Sequence, residues 1–117
     1  DARVVIAADI LFIGVTPIMW TGPTENWVAA LERLLDLGAE RFVPGHGPVG
    51  GPDEVLALQA YLWSCVEADG DPAALPPGPW DDWPGREWDE VNVERAAMLA
   101  RGDTQVPPSL LRRLGLA

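Results

Sequence analysis

The chain has 117 residues, 48% of them hydrophobic, which is enough for one small domain with its own core. Its 18 acidic residues stand against 8 basic ones, a formal net charge of −10. Such a chain repels phosphate backbones and anionic lipid, and its densest basic pair, Arg112-Arg113, is no patch, so neither nucleic acid nor a membrane is expected as a partner. No apolar run approaches the ~20 residues that cross a bilayer, and the N-terminal stretch lacks a signal-peptide layout. The single cysteine, Cys65, forbids an intrachain disulfide and fits a reducing compartment, so the expected location is cytoplasmic.

Arg3 to Ala7 is β-branched and apolar, a buried strand by pattern. Ala8-Asp9 interrupts it, and Ile10 to Ile13 resumes as a second short strand ended by Gly14. Pro17 to Pro23 reads as a loop with an apolar body, able to pack over the core or to line a cleft. Thr24 is placed as a helix N-cap, with Glu25 complementing the dipole in the first turn. Trp27, Val28, Leu31, Leu34 and Leu35 then draw one helical face, and Gly38 closes the helix. Arg41-Phe42-Val43 follows as a strand, completing a βαβ order.

A second helix opens at Gly51-Pro52-Asp53-Glu54, with proline at its first position and acids in its first turn. Val55, Leu58, Leu62 and Val66 make its face, widened by Leu56, Tyr61 and Trp63, and Gly70 ends it. Residues 71–85 are rich in proline, yet Trp80 and Trp83 want burial, so an ordered coil wrapped on the body is expected. A third helix is expected from about Trp88 to Arg101, and a last helical turn or two over Leu110 to Leu114.

The chemistry concentrates in Val43-Pro44-Gly45-His46-Gly47-Pro48, which holds the only histidine. Flanking glycines and prolines make a rigid turn and remove bulk beside the ring, which suits an oriented ligand imidazole. Asp9 also follows an apolar run, and carboxylate with imidazole suits zinc or iron. Asp9 also reads as a turn-capping carboxylate. Buried, it would demand a cation, whereas a bend carrying it to the surface would remove that demand.

Ala8-Asp9-Ile10-Leu11-Phe12, Pro23-Thr24-Glu25-Asn26-Trp27 and Val43-Pro44-Gly45-His46-Gly47-Pro48 together resemble the C-terminal half of the metallo-β-lactamase superfamily of metal-dependent hydrolases. The resemblance covers roughly Val4 to Val66. It implies that Asp9 matches the carboxylate bridging two metals and that His46 matches a ligand of the second. The implied cofactor of a complete domain is two zinc ions, with iron or manganese as alternatives. The implied activity is hydrolysis, by an acidified water, of an ester, thioester, amide or phosphoester in a small-molecule substrate.

Three departures qualify the resemblance. The family's His-x-His-x-Asp-His cluster and a further histidine have no counterpart, because His46 is the only histidine. Ala8 stands where the family's usual form is Gly-Asp. Family members pack two similar halves as an αββα sandwich, and this chain has matter for about one. The expected fold class is therefore α/β: a short mixed sheet with flanking helices on one face, half of an αββα sandwich.

Residues 1–70 form that half, and residues 71–117 pack on it as a Pro/Trp-rich segment with C-terminal helices. The chain is expected to be part of a longer hydrolase, inactive and without tightly bound metal by itself. A missing N-terminal half or a second copy would cover its open sheet face. The alternative is a non-enzymatic half-domain serving as an interaction or dimerisation module.

The remaining candidates point away from chemistry. Trp20 can line a cleft or fill the core. Asp81, Asp82, Asp89 and Glu90 can hold a cation or form a solvated acidic surface, the latter being the expectation. Cys65 reads as packing, since no second histidine exists to activate it. No Gly-x-Ser-x-Gly elbow or phosphate-cradling loop is present.

Overall fold

Two β-strands run parallel because a helix carries the chain back between them, the connection that parallel pairing requires. In the computed structural model, which describes residues 3–19 and 22–116, these are β1 (Val4–Phe12) and β2 (Arg41–His46), joined through α1 (Thr24–Asp36). Then come α2 (Pro52–Glu67), three short 3₁₀ turns at Pro72–Ala74, Pro79–Asp82 and Arg86–Trp88, α3 (Asp89–Ala100) and α4 (Pro108–Arg113). The fold class is α/β, as expected, with helices flanking a parallel pair. The mixed character of the sheet is limited to one antiparallel bridge, where Phe42 exchanges backbone hydrogen bonds with Gly50.

The break expected at Ala8-Asp9 does not split the strand; it bulges it. Ile6 pairs with Val43, Ala8 with Pro44 and Phe12 with His46. Six steps along β1 therefore match three along β2, and the surplus residues loop outward. Ala8 has φ +54°, the left-handed region that costs an L-residue about 1–2 kcal/mol. That excursion carries Asp9 outward to the surface.

The core lies on one face of the sheet. Ala7, Leu11 and Phe42 share a single cluster with Val28 and Leu31 of α1 and with Leu58 and Leu62 of α2. On the other face Val4 is exposed and Ile6 is 80% exposed. Helix α1 buries Val28, Leu31 and Leu34 along the expected stripe. Its N-terminus differs from expectation: Pro23 occupies the cap position and Thr24 is the first helical residue, with its hydroxyl buried and making no capping bond. In α2, Val55, Leu58, Tyr61, Leu62 and Cys65 are buried, whereas Leu56 and Trp63 face out and do not widen the stripe. Glu54 accepts from the Gly51 N–H (3.0 Å), holding the first turn.

The proline-rich segment is ordered on the body, as its tryptophans required. Trp80 and Trp83 pack on Tyr61 with ring centroids 5.7 and 5.6 Å away. Asn92, fully buried in α3, ties three parts of the chain together. Its amide donates to the Pro17 carbonyl (2.8 Å) and the Tyr61 hydroxyl (2.9 Å), and its oxygen accepts from the Met19 N–H (2.9 Å). Every polar atom of that amide is thus used, as burial demands.

Candidate functional site

The bulge and the Pro-Gly-His turn act as one unit. Strand β2 can approach the bulge because residue 45 has no side chain. A Cβ there would stand 2.9 Å from both the carbonyl carbon and the oxygen of Ala8, and closer still to Asp9 Oδ1. Gly47, at φ +99°, makes the turn past Ile13, whose N–H donates to the His46 carbonyl at 3.0 Å. The imidazole of His46 lies flat on Phe12, centroids 4.6 Å apart and planes 10° from parallel. A ring held by its strand partner in this way keeps its orientation.

The outcome is that His46 Nε2 and Asp9 Oδ1 lie 3.7 Å apart. The two residues singled out in the sequence are therefore neighbours at one rim of the sheet. Their exposure decides between the two readings of Asp9. The Asp9 side chain is 88% exposed and that of His46 57%, so Asp9 needs no cation to offset burial. The bend to the surface accounts for a carboxylate inside an apolar run.

The pair fits part of a metal site. Ligand bonds of about 2.0–2.2 Å from nitrogen and oxygen would let one ion reach both atoms across this gap. Among the described residues no group of three or more His, Cys, Asp or Glu is placed to hold an ion. Two donors on an open rim fall short of the three or four protein ligands of a zinc centre.

A cleft of about 780 Å³ opens beside the pair. Ile10, Phe12, Val15 and Trp27 line it from the βαβ unit, and Gly85 and Trp88 from the C-terminal segment. Trp27 is fixed by donating its indole N–H to the Ile10 carbonyl at 2.7 Å, and it meets Phe12 at a 6.1 Å centroid distance. The contribution of residues 85–88 could not be read from sequence, because it depends on how a distant segment folds back. Trp20, the other candidate for a cleft wall, lies outside the described residues.

The other candidates divide. Asp89 accepts from the Tyr61 hydroxyl (2.5 Å) and from Arg86 Nε (2.6 Å), so it is a structural acceptor rather than part of a solvated surface. Glu90 pairs with Arg112 at 2.9 Å, and Asp81 caps the Gly78 N–H at 3.1 Å. Cys65 is fully buried in α2. Burial pushes its thiol up to about 12, opposite to the shift that would activate a nucleophile. Burial likewise raises the Tyr61 phenol far above its ordinary value, with the Cys65 sulfur and the Asp89 hydrogen bond adding to it.

No helix of the described residues is long and apolar enough to cross a membrane. No protein-family model matches this chain, and no curated protein does.

Proposed function

We propose that this chain is the C-terminal portion of a metal-dependent hydrolase of the metallo-β-lactamase type, with no turnover by itself. The observation that carries the reading is the 3.7 Å approach of Asp9 to His46, built by two of the three segments on which the resemblance rests. In a completed domain Asp9 would offer carboxylate oxygens to a zinc pair, and His46 would offer Nε2. Metal held there would supply the chemistry of an acidified water, of pKa about 7, as nucleophile. The chain's own part is orientation: the bulge presents Asp9, Phe12 holds the imidazole flat, and Gly45 lets the two meet. The substrate is a small molecule, and the setting a reducing cytoplasm, argued from the lone Cys65. A second reading, a non-enzymatic interaction or dimerisation module, draws support from the exposed Val4 and Ile6 on the open sheet face.

Cobalt(II) titration followed by NMR tests the first reading. The chain alone should bind weakly, with broadening centred on His46 and Asp9. Mixing with a polypeptide carrying the His-x-His-x-Asp-His half should give two tightly held equivalents, and Asp9→Ala or His46→Ala should abolish at least one. Broadening away from this rim, or uptake by the mixture that ignores both substitutions, would overturn it. A metal-independent dimer that buries Ile6, with no uptake on mixing, would establish the module.

A further inference from the structure

The lining of the cleft says more about a ligand than the Asp9–His46 pair does. A volume of about 780 Å³ sits inside the range of ~300–1,000 Å³ typical of pockets for small organic molecules. Its walls are mostly aromatic and aliphatic with a few polar groups, the usual composition of such sites. Among the described residues the lining contains no lysine or arginine and one carboxylate, Asp9. With a chain charge of −10 around it, this cleft disfavours an anion.

The aromatic walls are already in place. Trp27 is tied to the Ile10 carbonyl and Phe12 is covered by His46. Trp88 is held from both sides of the sequence: its backbone N–H donates to the Gly85 carbonyl at 2.9 Å, and the Arg113 guanidinium lies 5.0 Å from its ring centroid. The Thr16 N–H donates to the Pro84 carbonyl at 3.0 Å, joining the two parts of the lining. Rings that need no ordering on binding lose little entropy when a ligand arrives.

We infer that this cleft binds a small neutral molecule, of the ester or amide class on which the proposed hydrolysis would act, bearing an aromatic or branched apolar group. Trp88, delivered by the C-terminal segment, limits the size of that group. Which end of the ligand faces Asp9 and His46 rests on the proposed hydrolytic reading; the seating of the apolar group does not.

The test is a titration of the chain, free of metal, with N-benzylacetamide, observed at the tryptophan indole N–H resonances. Saturable shifts at Trp27 and Trp88 are expected, with affinity falling about tenfold in Trp88→Ala as ring contacts are lost. Ala30→Trp fills the cleft from α1 and should abolish binding, while Ala29→Trp, on the exposed side of the same helix, should not. Benzoate and N-methylacetamide, which lack neutrality and the ring respectively, should each bind at least about tenfold more weakly. Trp88→Ala should leave the cobalt broadening at Asp9 and His46 unchanged while weakening binding of the amide, so the two readings fail separately. Absence of saturation, equal binding of benzoate, or indifference to Ala30→Trp would overturn the inference.

Discussion

Gly45 and Ala8 meet backbone to backbone: a Cβ on residue 45 would lie 2.9 Å from the Ala8 carbonyl carbon and oxygen alike. The contact explains why the Pro-Gly-His turn needs its first glycine. It is a matter of space, since the left-handed conformation is found at Gly47 rather than at Gly45. Gly45→Ala should force the β2 end away from the bulge and destabilise the fold by about 1–3 kcal/mol, the usual cost of overpacking. Urea denaturation would measure the loss. Cross-peaks between His46 and Phe12 should weaken in parallel, because the same displacement unstacks the rings.

Ala8 pays a backbone penalty that glycine would not. At φ +54° an L-side chain is strained by about 1–2 kcal/mol, partly offset by the lower entropy of an unfolded alanine. Ala8→Gly should therefore raise stability by about 0.5–1 kcal/mol. The Asp9–His46 distance should be unchanged. A lower urea midpoint for this variant would contradict the left-handed assignment.

Asn92→Ala should be far more damaging than its size suggests. It removes the partners of the Met19 N–H and the Pro17 carbonyl in a buried setting and leaves the Tyr61 hydroxyl one bond short. With each orphaned group costing about 1–3 kcal/mol, a loss of about 3–5 kcal/mol is expected. Amide exchange at Met19 should rise by more than exchange in α1, since the cleft segment loses its tie to α3.

Stability should fall as pH rises above the ordinary thiol range. Cys65 is pushed from 9.0 to about 12 in the folded chain, and Tyr61 is raised as well, both chiefly by burial. The folded state thus retains protons that the unfolded state releases. The stabilisation is whole below pH 9 and is lost as pH climbs toward 12, by up to about 1.4 kcal/mol per pH unit for each group. Urea midpoints between pH 8 and pH 12 would show the decline, and Cys65→Ala should make it shallower. Ellman's reagent should modify Cys65 only as fast as the chain unfolds.

Local pattern determined a good deal. The 3.6-residue spacing of Val28, Leu31 and Leu34 gave the buried stripe of α1, and Pro52 marked the first turn of α2. Trp80 and Trp83 announced a packed coil where composition alone suggested a loose one. Tertiary structure decided the rest, because it depends on which distant atoms come close. Whether Asp9 is buried or exposed turns on a bulge whose register exists only against β2, and Leu56 and Trp63 face out because the neighbours of α2 cover a narrower stripe than hydrophobicity alone suggests. Asp89 serves Tyr61 and Arg86, and Trp88 lines a cleft with Phe12, because the C-terminal segment folds back on α2 and on the loop that follows β1. Periodicity describes one element at a time; contacts between elements far apart in the chain leave no local trace in it.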